Sequence, residues 1–141
     1  MTIAIDFDGT IVEHKYPKIG KPIPFAIETL LQLKKENHRL ILWTVREDDL
    51  LQEAIDYCAE RGLVFYANNA NYPGEETPSP RKLSVDMFID DRNLGGLPDW
   101  GVIYKAVQAT ARGESSFQTI MSSQETQQER DKRKKNIFLR I

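Results

Sequence analysis

Short apolar runs that stop on polar or acidic residues alternate along this chain with stretches whose apolar positions recur at helical spacing. Ile3-Ala4-Ile5, within Thr2–Phe7, has the pattern of a buried strand. Ile11 to Pro24 contains Pro17, Gly20, Pro22 and Pro24, which break any long helix, so it reads as a loop or small flap. From Phe25 to Asn37 the residues Phe25, Ile27, Leu30, Leu31 and Leu33 form a roughly helical stripe, with Lys34, Lys35 and Glu36 toward water. Arg39–Thr44 is a second near-continuous apolar strand, and strand, helix and strand make a βαβ unit. Asp48 or Asp49 caps a helix that runs to about Arg61, where Gly62 stops it. Leu63 to Tyr66 is expected as a third strand, and Ala67–Pro80, rich in Asn, Pro and Gly, as a loop long enough to be functional. Ser84 to Ile89 leads into a fourth strand that ends in Asp90-Asp91. Pro98-Asp99 then starts a helix through about Arg112, apolar at Val102, Ile103, Ala106, Val107 and Ala109. This order predicts an α/β fold, a doubly wound three-layer sandwich on a mostly parallel sheet.

Ser115 to Ile141 departs from that pattern. Its polar middle predicts a solvent-exposed helix, and its apolar end (Ile137, Phe138, Leu139 and Ile141) is expected to dock on the core or on a neighbouring copy, so a homo-oligomer stays open. The expected organisation is a core over 1–113, whose strand ends carry the candidate chemistry, and an extension over 114–141. At 141 residues there is room for one real core and little for a second. The formal charge of −2 supplies no general field for nucleic acid or an anionic membrane, and the basic stretch Arg130 to Lys135 has no interleaved aromatic to stack on bases. Cys58 is the single cysteine, so no intrachain disulfide forms, and a reactive thiol is disfavoured because only Arg61 stands near it as a cation. No basic leader and no apolar run of membrane-spanning length is present, and the expectation is a soluble, cytoplasmic protein.

The chemistry gathers where the apolar runs end. Asp6 and Asp8 lie one residue apart, followed by Gly9, at the C-terminal edge of the first strand, the edge where open α/β sheets bind ligands. Paired carboxylates there suit a hard cation such as Mg²⁺, and the first aspartate can attack phosphorus once the phosphoryl charge is neutralised. Asp-Gly is also a common turn dipeptide, so the pair gains meaning only from partners elsewhere. Thr44 closes the second strand, where its hydroxyl and the Val45 N–H face the same edge. Lys82, with Arg81 as competitor, precedes the fourth strand and supplies an ammonium. Asp90 and Asp91 repeat the arrangement of Asp6, and two acidic strand ends in one parallel sheet repel unless a cation lies between them.

DFDGT, Thr44, Lys82 and the IDD of Ile89 to Asp91 resemble, in order, the four motifs of the haloacid dehalogenase superfamily of phosphatases, over about residues 2 to 110. The resemblance implies a Rossmann-like core, Mg²⁺ dependence and an aspartyl-phosphate intermediate. It makes Asp6 the nucleophile and a metal ligand, and Asp8 the general acid and base whose main-chain carbonyl meets the metal. Gly9, Thr44, Val45 and Lys82 become the phosphate-binding set, and Asp90 and Asp91 complete the metal site. Lys82 lies closer to IDD than in many members, as in deoxyribonucleotidase-like relatives, which keeps Arg81 in contention. The gaps after Thr10 and after Thr44 leave no room for a cap domain, so both macromolecular and small phosphorylated substrates are open. A phosphate-binding module without turnover, and a nucleic-acid end-processing phosphatase using the basic tail, are the alternatives. Arg46, Arg92, Lys15, Lys18, His14, Asn68, Asn69, Asn71 and Tyr72 lie on segments leaving strand ends and are candidates to contact a leaving group.

Overall fold

The computed structural model describes residues 1–76 and 81–140; Thr77 to Pro80 of the expected 67–80 loop, and the terminal Ile141, lie outside the described residues. The fold is α/β, built on four parallel strands: β1 (Thr2–Ile5), β2 (Arg39–Leu42), β3 (Ala67–Asn68) and β4 (Met87–Ile89). Their order in the sheet is β3-β2-β1-β4, with Ile5 opposite Leu42 on one side and Ile89 on the other. Ile3, Ala4, Ile5, Leu40, Ile41 and Leu42 are all buried, as continuous apolar runs require of parallel strands covered on both faces.

Hydrogen bonding outlasts the strands by one residue on each side of β1. The Asp6 N–H donates to the Ile89 carbonyl at 2.9 Å, and the Trp43 N–H donates to the Ile5 carbonyl at 2.9 Å. The chain leaves β1 for β2 and β3 on one side and returns to β4 on the other. That reversal marks the place where open α/β sheets leave a crevice beyond the carboxyl ends of their strands.

The third strand lies further along the chain than Leu63 to Tyr66. Leu63, Phe65 and Ala67 are buried while Val64 and Tyr66 are exposed, a genuine period of two, but ladder pairing begins only at Ala67 opposite Ile41. The Tyr66 N–H donates to Leu40 O at 2.8 Å, so the alternating run is the approach to the sheet and its last two residues are the strand.

Helix α1 (Ala26–Lys35) buries Ala26, Ile27, Leu30 and Leu33, while Phe25, expected in that stripe, precedes the helix at φ 66° and is exposed. In α2 (Asp48–Glu60) the N-cap is Glu47, not Asp48 or Asp49; those two occupy the first turn, where the helix dipole favours negative charge. Gly62 ends α2 as expected, at φ 83°. Its N–H bonds Ala59 O at 2.9 Å and that of Leu63 bonds Cys58 O at 2.9 Å, the paired bonds of a left-handed helix stop. Asp99 caps α3 (Trp100–Ala111) through a 3.1 Å bond from the Val102 N–H, and α4 (Ser116–Leu139) follows.

Contacts divide the chain into two compact units, Met1–Leu97 and Pro98–Ile141, the first holding the sheet with α1 and α2 and the second α3 with α4. Among the described residues no helix is long and apolar enough to cross a membrane. In α4 the residues Ile137, Phe138 and Leu139 are 64%, 84% and 84% exposed. Three consecutive residues of a helix point about 100° apart from one another, so no single surface covers all three.

Candidate metal and phosphoryl-transfer site

Asp6 leaves β1 and Asp90-Asp91 leave β4 at the same edge of two hydrogen-bonded strands, which brings their carboxylates together. One oxygen of each of Asp6, Asp90 and Asp91 lies within 4.8 Å of the others. Thr10, fully buried, knits the group: its hydroxyl donates to Asp6 Oδ2 at 3.0 Å and accepts from the Asp91 N–H at 3.1 Å. In the sequence, Thr10 after Asp-Gly looks like ordinary turn chemistry, and nothing there signals this bridging position. Asp90 is oriented by the Arg92 N–H, which donates to its Oδ1 at 2.9 Å.

Gly9, at φ 86°, is where the turn approaches Asp91 most closely; a Cβ built there would collide with the Asp91 carboxylate. Its N–H donates to Val12 O at 2.7 Å inside the turn. Burial, followed by a shared hydrogen bond with Asp91 and the charge of Asp90, pushes the Asp6 pKa from 3.8 up to about 7. Three oxygen-bearing groups so placed form a donor set for a hard cation, and a cation relieves the repulsion that raises Asp6.

Asp8 is held apart from that cluster. Arg46, with no exposed surface, donates from Nε to Asp8 Oδ2 at 2.7 Å and from Nη2 to Asp8 Oδ1 at 2.8 Å. The pair raises the Arg46 pKa above its usual value, chiefly through the hydrogen bond to Asp8. Arg46 was a candidate to touch the leaving group; complete burial removes it from that role. Asp8 nevertheless borders a cavity of about 210 Å³ together with Asp6, Asp90, His14, Tyr16, Val45 and Arg92.

Thr44 sits beyond the end of β2, one strand over from Asp6. Its N–H donates to Asn69 Oδ1 at 2.8 Å and its Oγ1 accepts from the Arg46 N–H at 3.1 Å, which leaves the hydroxyl proton to be donated elsewhere. Asn69 also donates to Arg46 O at 3.3 Å, and so shapes the 44–46 turn. Asn71 is likewise tied up, bonding Glu75 and accepting from the Ser84 N–H at 2.7 Å. Lys82 and Arg81 both border a second cavity, of about 520 Å³, with Trp43, Phe88, Asp90 and Asn93; the Lys82 ammonium lies 5.6 Å from the centre of the Phe88 ring. His14, Lys15, Tyr16, Lys18, Tyr72 and Arg92 are exposed, and of these His14, Tyr16 and Arg92 border the cavity over Asp6. Asn68 ends β3, and its buried Oδ1 accepts no hydrogen bond among the described residues. Burial pushes the Cys58 thiol up to about 12, which leaves it unreactive.

No family model matches the sequence, and no curated protein matches it. A solved structure does: that of a conserved protein from Bacteroides thetaiotaomicron, 63% identical, with a TM-score of 0.76 and a match that covers 78% of this chain and 91% of that one.

Proposed function

The chain belongs to the same family as the conserved protein of Bacteroides thetaiotaomicron, and we propose that it is a Mg²⁺-dependent phosphomonoester hydrolase of the haloacid dehalogenase type. The observation that carries this reading is the convergence of Asp6, Asp90 and Asp91, oxygen to oxygen within 4.8 Å, at the carboxyl ends of β1 and β4. Asp6, Asp90 and Asp91 would hold the cation, with the Asp8 carbonyl as a further donor. When bound, Mg²⁺ supplies positive charge against the phosphoryl oxygens.

An Asp6 oxygen attacks phosphorus, the ester bond breaks, and the leaving oxygen takes a proton from the Asp8 carboxyl. Water then attacks the aspartyl phosphate as Asp8 takes one of its protons, which frees the Asp6 carboxylate and releases inorganic phosphate. The Thr44 hydroxyl and the Val45 N–H are the donors for the phosphoryl oxygens, and the Lys82 ammonium balances their charge. Among the described residues neither the 11–25 segment nor the stretch between β2 and β4 holds an inserted domain, and the short flap borders the site through His14 and Tyr16.

The test is phosphate release from sugar phosphates, nucleotides and phosphopeptides, with Mg²⁺ and with EDTA, by the wild-type protein and by Asp6→Asn. Turnover that EDTA stops, that Mg²⁺ restores and that Asp6→Asn lacks supports the assignment. Release that survives in purified Asp6→Asn contradicts it.

A further inference from the structure

Arg46 makes more connections than a phosphate ligand or a simple ion pair needs. Beyond its two bonds to Asp8, Nη1 donates to Pro17 O at 3.1 Å and Nη2 to Lys18 O at 3.1 Å, and Nη1 also reaches Leu50 O in the first turn of α2 at 3.5 Å. Its guanidinium carbon lies 5.2 Å from the centre of the Phe7 ring and 5.3 Å from that of Tyr16. A planar fork with donors on three sides is the one side chain able to serve two carboxylate oxygens and two carbonyls of another segment together. Those carbonyls belong to the tip of the flap. The flap's arms are joined by the Glu13 N–H to Lys21 O at 2.7 Å and the Ile23 N–H to Ile11 O at 2.9 Å, and the tip carries His14 and Tyr16 to the cavity over Asp6.

The geometry points to Arg46 as a positioning residue that fastens the Asp8 carboxylate, the flap tip and the start of α2 into one body, so that Asp8 meets the substrate's leaving oxygen only while the flap covers the site. This rests on the phosphatase reading above. Lifting the flap takes two carbonyls from a fully buried guanidinium, and moving Asp8 takes two carboxylate oxygens from it; either motion leaves buried donors without acceptors. The flap thereby stands in for the missing cap, and its cover and the proton-transfer group are set by the same side chain.

The experiment compares wild type with Arg46→Lys and Arg46→Met by amide hydrogen exchange over residues 11–24 and by kcat and KM on two esters, an alkyl phosphate and p-nitrophenyl phosphate. Both variants should exchange faster in the flap. Both should lose kcat/KM, which reports the steps through departure of the leaving group, on the alkyl ester by about the 10²–10⁴-fold typical of lost general acid catalysis, and by less than about tenfold on the activated ester, whose leaving group needs no proton; kcat falls on both esters wherever the second step, in which Asp8 activates water, limits turnover. Mg²⁺ binding should be unchanged in both. Unchanged flap exchange, or an equal loss of kcat/KM on the two esters, overturns the assignment. Should Arg46→Met fail to fold, Arg46→Lys carries the comparison. In the wild type, rapid exchange of the Glu13 and Ile23 amides would by itself contradict a fastened flap. If the wild type hydrolyses no ester, the phosphatase reading fails, and flap exchange in the variants still decides whether Arg46 is the fastener.

Discussion

Asp6 is held among two other carboxylates and partly removed from water, and its raised pKa makes the native state bind a proton that the unfolded chain has already lost. Between about pH 4 and about pH 7 the native state therefore holds more protons than the unfolded one, and stability falls as pH rises through that window. The metal-free protein should melt at a lower temperature at about pH 8 than at about pH 5 as far as Asp6 governs it. Mg²⁺ should raise the melting temperature more at the higher pH, because there it meets an ionised cluster. Thermal melts with EDTA and with Mg²⁺ at both pH values check this, and an Mg²⁺ shift that is equal or larger at low pH would contradict it. Asp6 and Asp90 were legible because each follows an apolar run directly, with Asp91 next in line, and a run that stops on a carboxylate marks a strand end. The buried, multiply bonded role of Arg46, named from sequence only as a leaving-group contact, and the bridging role of Thr10 were not. An arginine next to Glu and Asp in a turn reads as solvated, and its partners at Pro17 and Lys18 are backbone carbonyls, which leave no trace in side-chain pattern.

Among the elements, strands and helices whose period matched their burial were placed within a few residues, and the departures have local causes. The third strand slipped to Ala67–Asn68 because Leu63 to Tyr66 has the right alternation, but ladder pairing begins only where Ala67 meets Ile41. Phe25 fits a helical stripe by spacing, yet its positive φ turns the chain into α1 and points it to water. Asp99 is the opposite case, with Pro-Asp before an apolar-periodic stretch marking a cap that the 3.1 Å bond to the Val102 N–H realises. Asp99→Ala should lower stability by about 1 kcal/mol, read as a shift in the denaturant midpoint without change in slope. A variant as stable as wild type would show that this cap contributes nothing.

For the molecule as a whole, the sheet unit and the α3–α4 unit are each compact, and the catalytic groups proposed here all belong to the first. The chain's end is a helix on which Ile137, Phe138 and Leu139 are exposed and face different directions, because sequence hydrophobicity reports composition and only helical phase decides direction. Removal of Asn136 to Ile141 should then leave the melting temperature within about 1 °C and kcat on a small phosphate ester unchanged. A clear loss of stability, or a smaller mass in solution, would mean that this end is covered by another copy. The proposed chemistry turns on one covalent bond, between Asp6 and phosphorus. Its most direct test quenches the enzyme in acid during turnover with Mg²⁺, reduces acyl phosphates with borohydride and reads the N-terminal peptide by mass spectrometry. Homoserine is expected at position 6 in the wild type when Mg²⁺ and substrate are both present, and none with EDTA or in Asp6→Asn. Sustained phosphate release with Asp6 unmodified at every time point would contradict it.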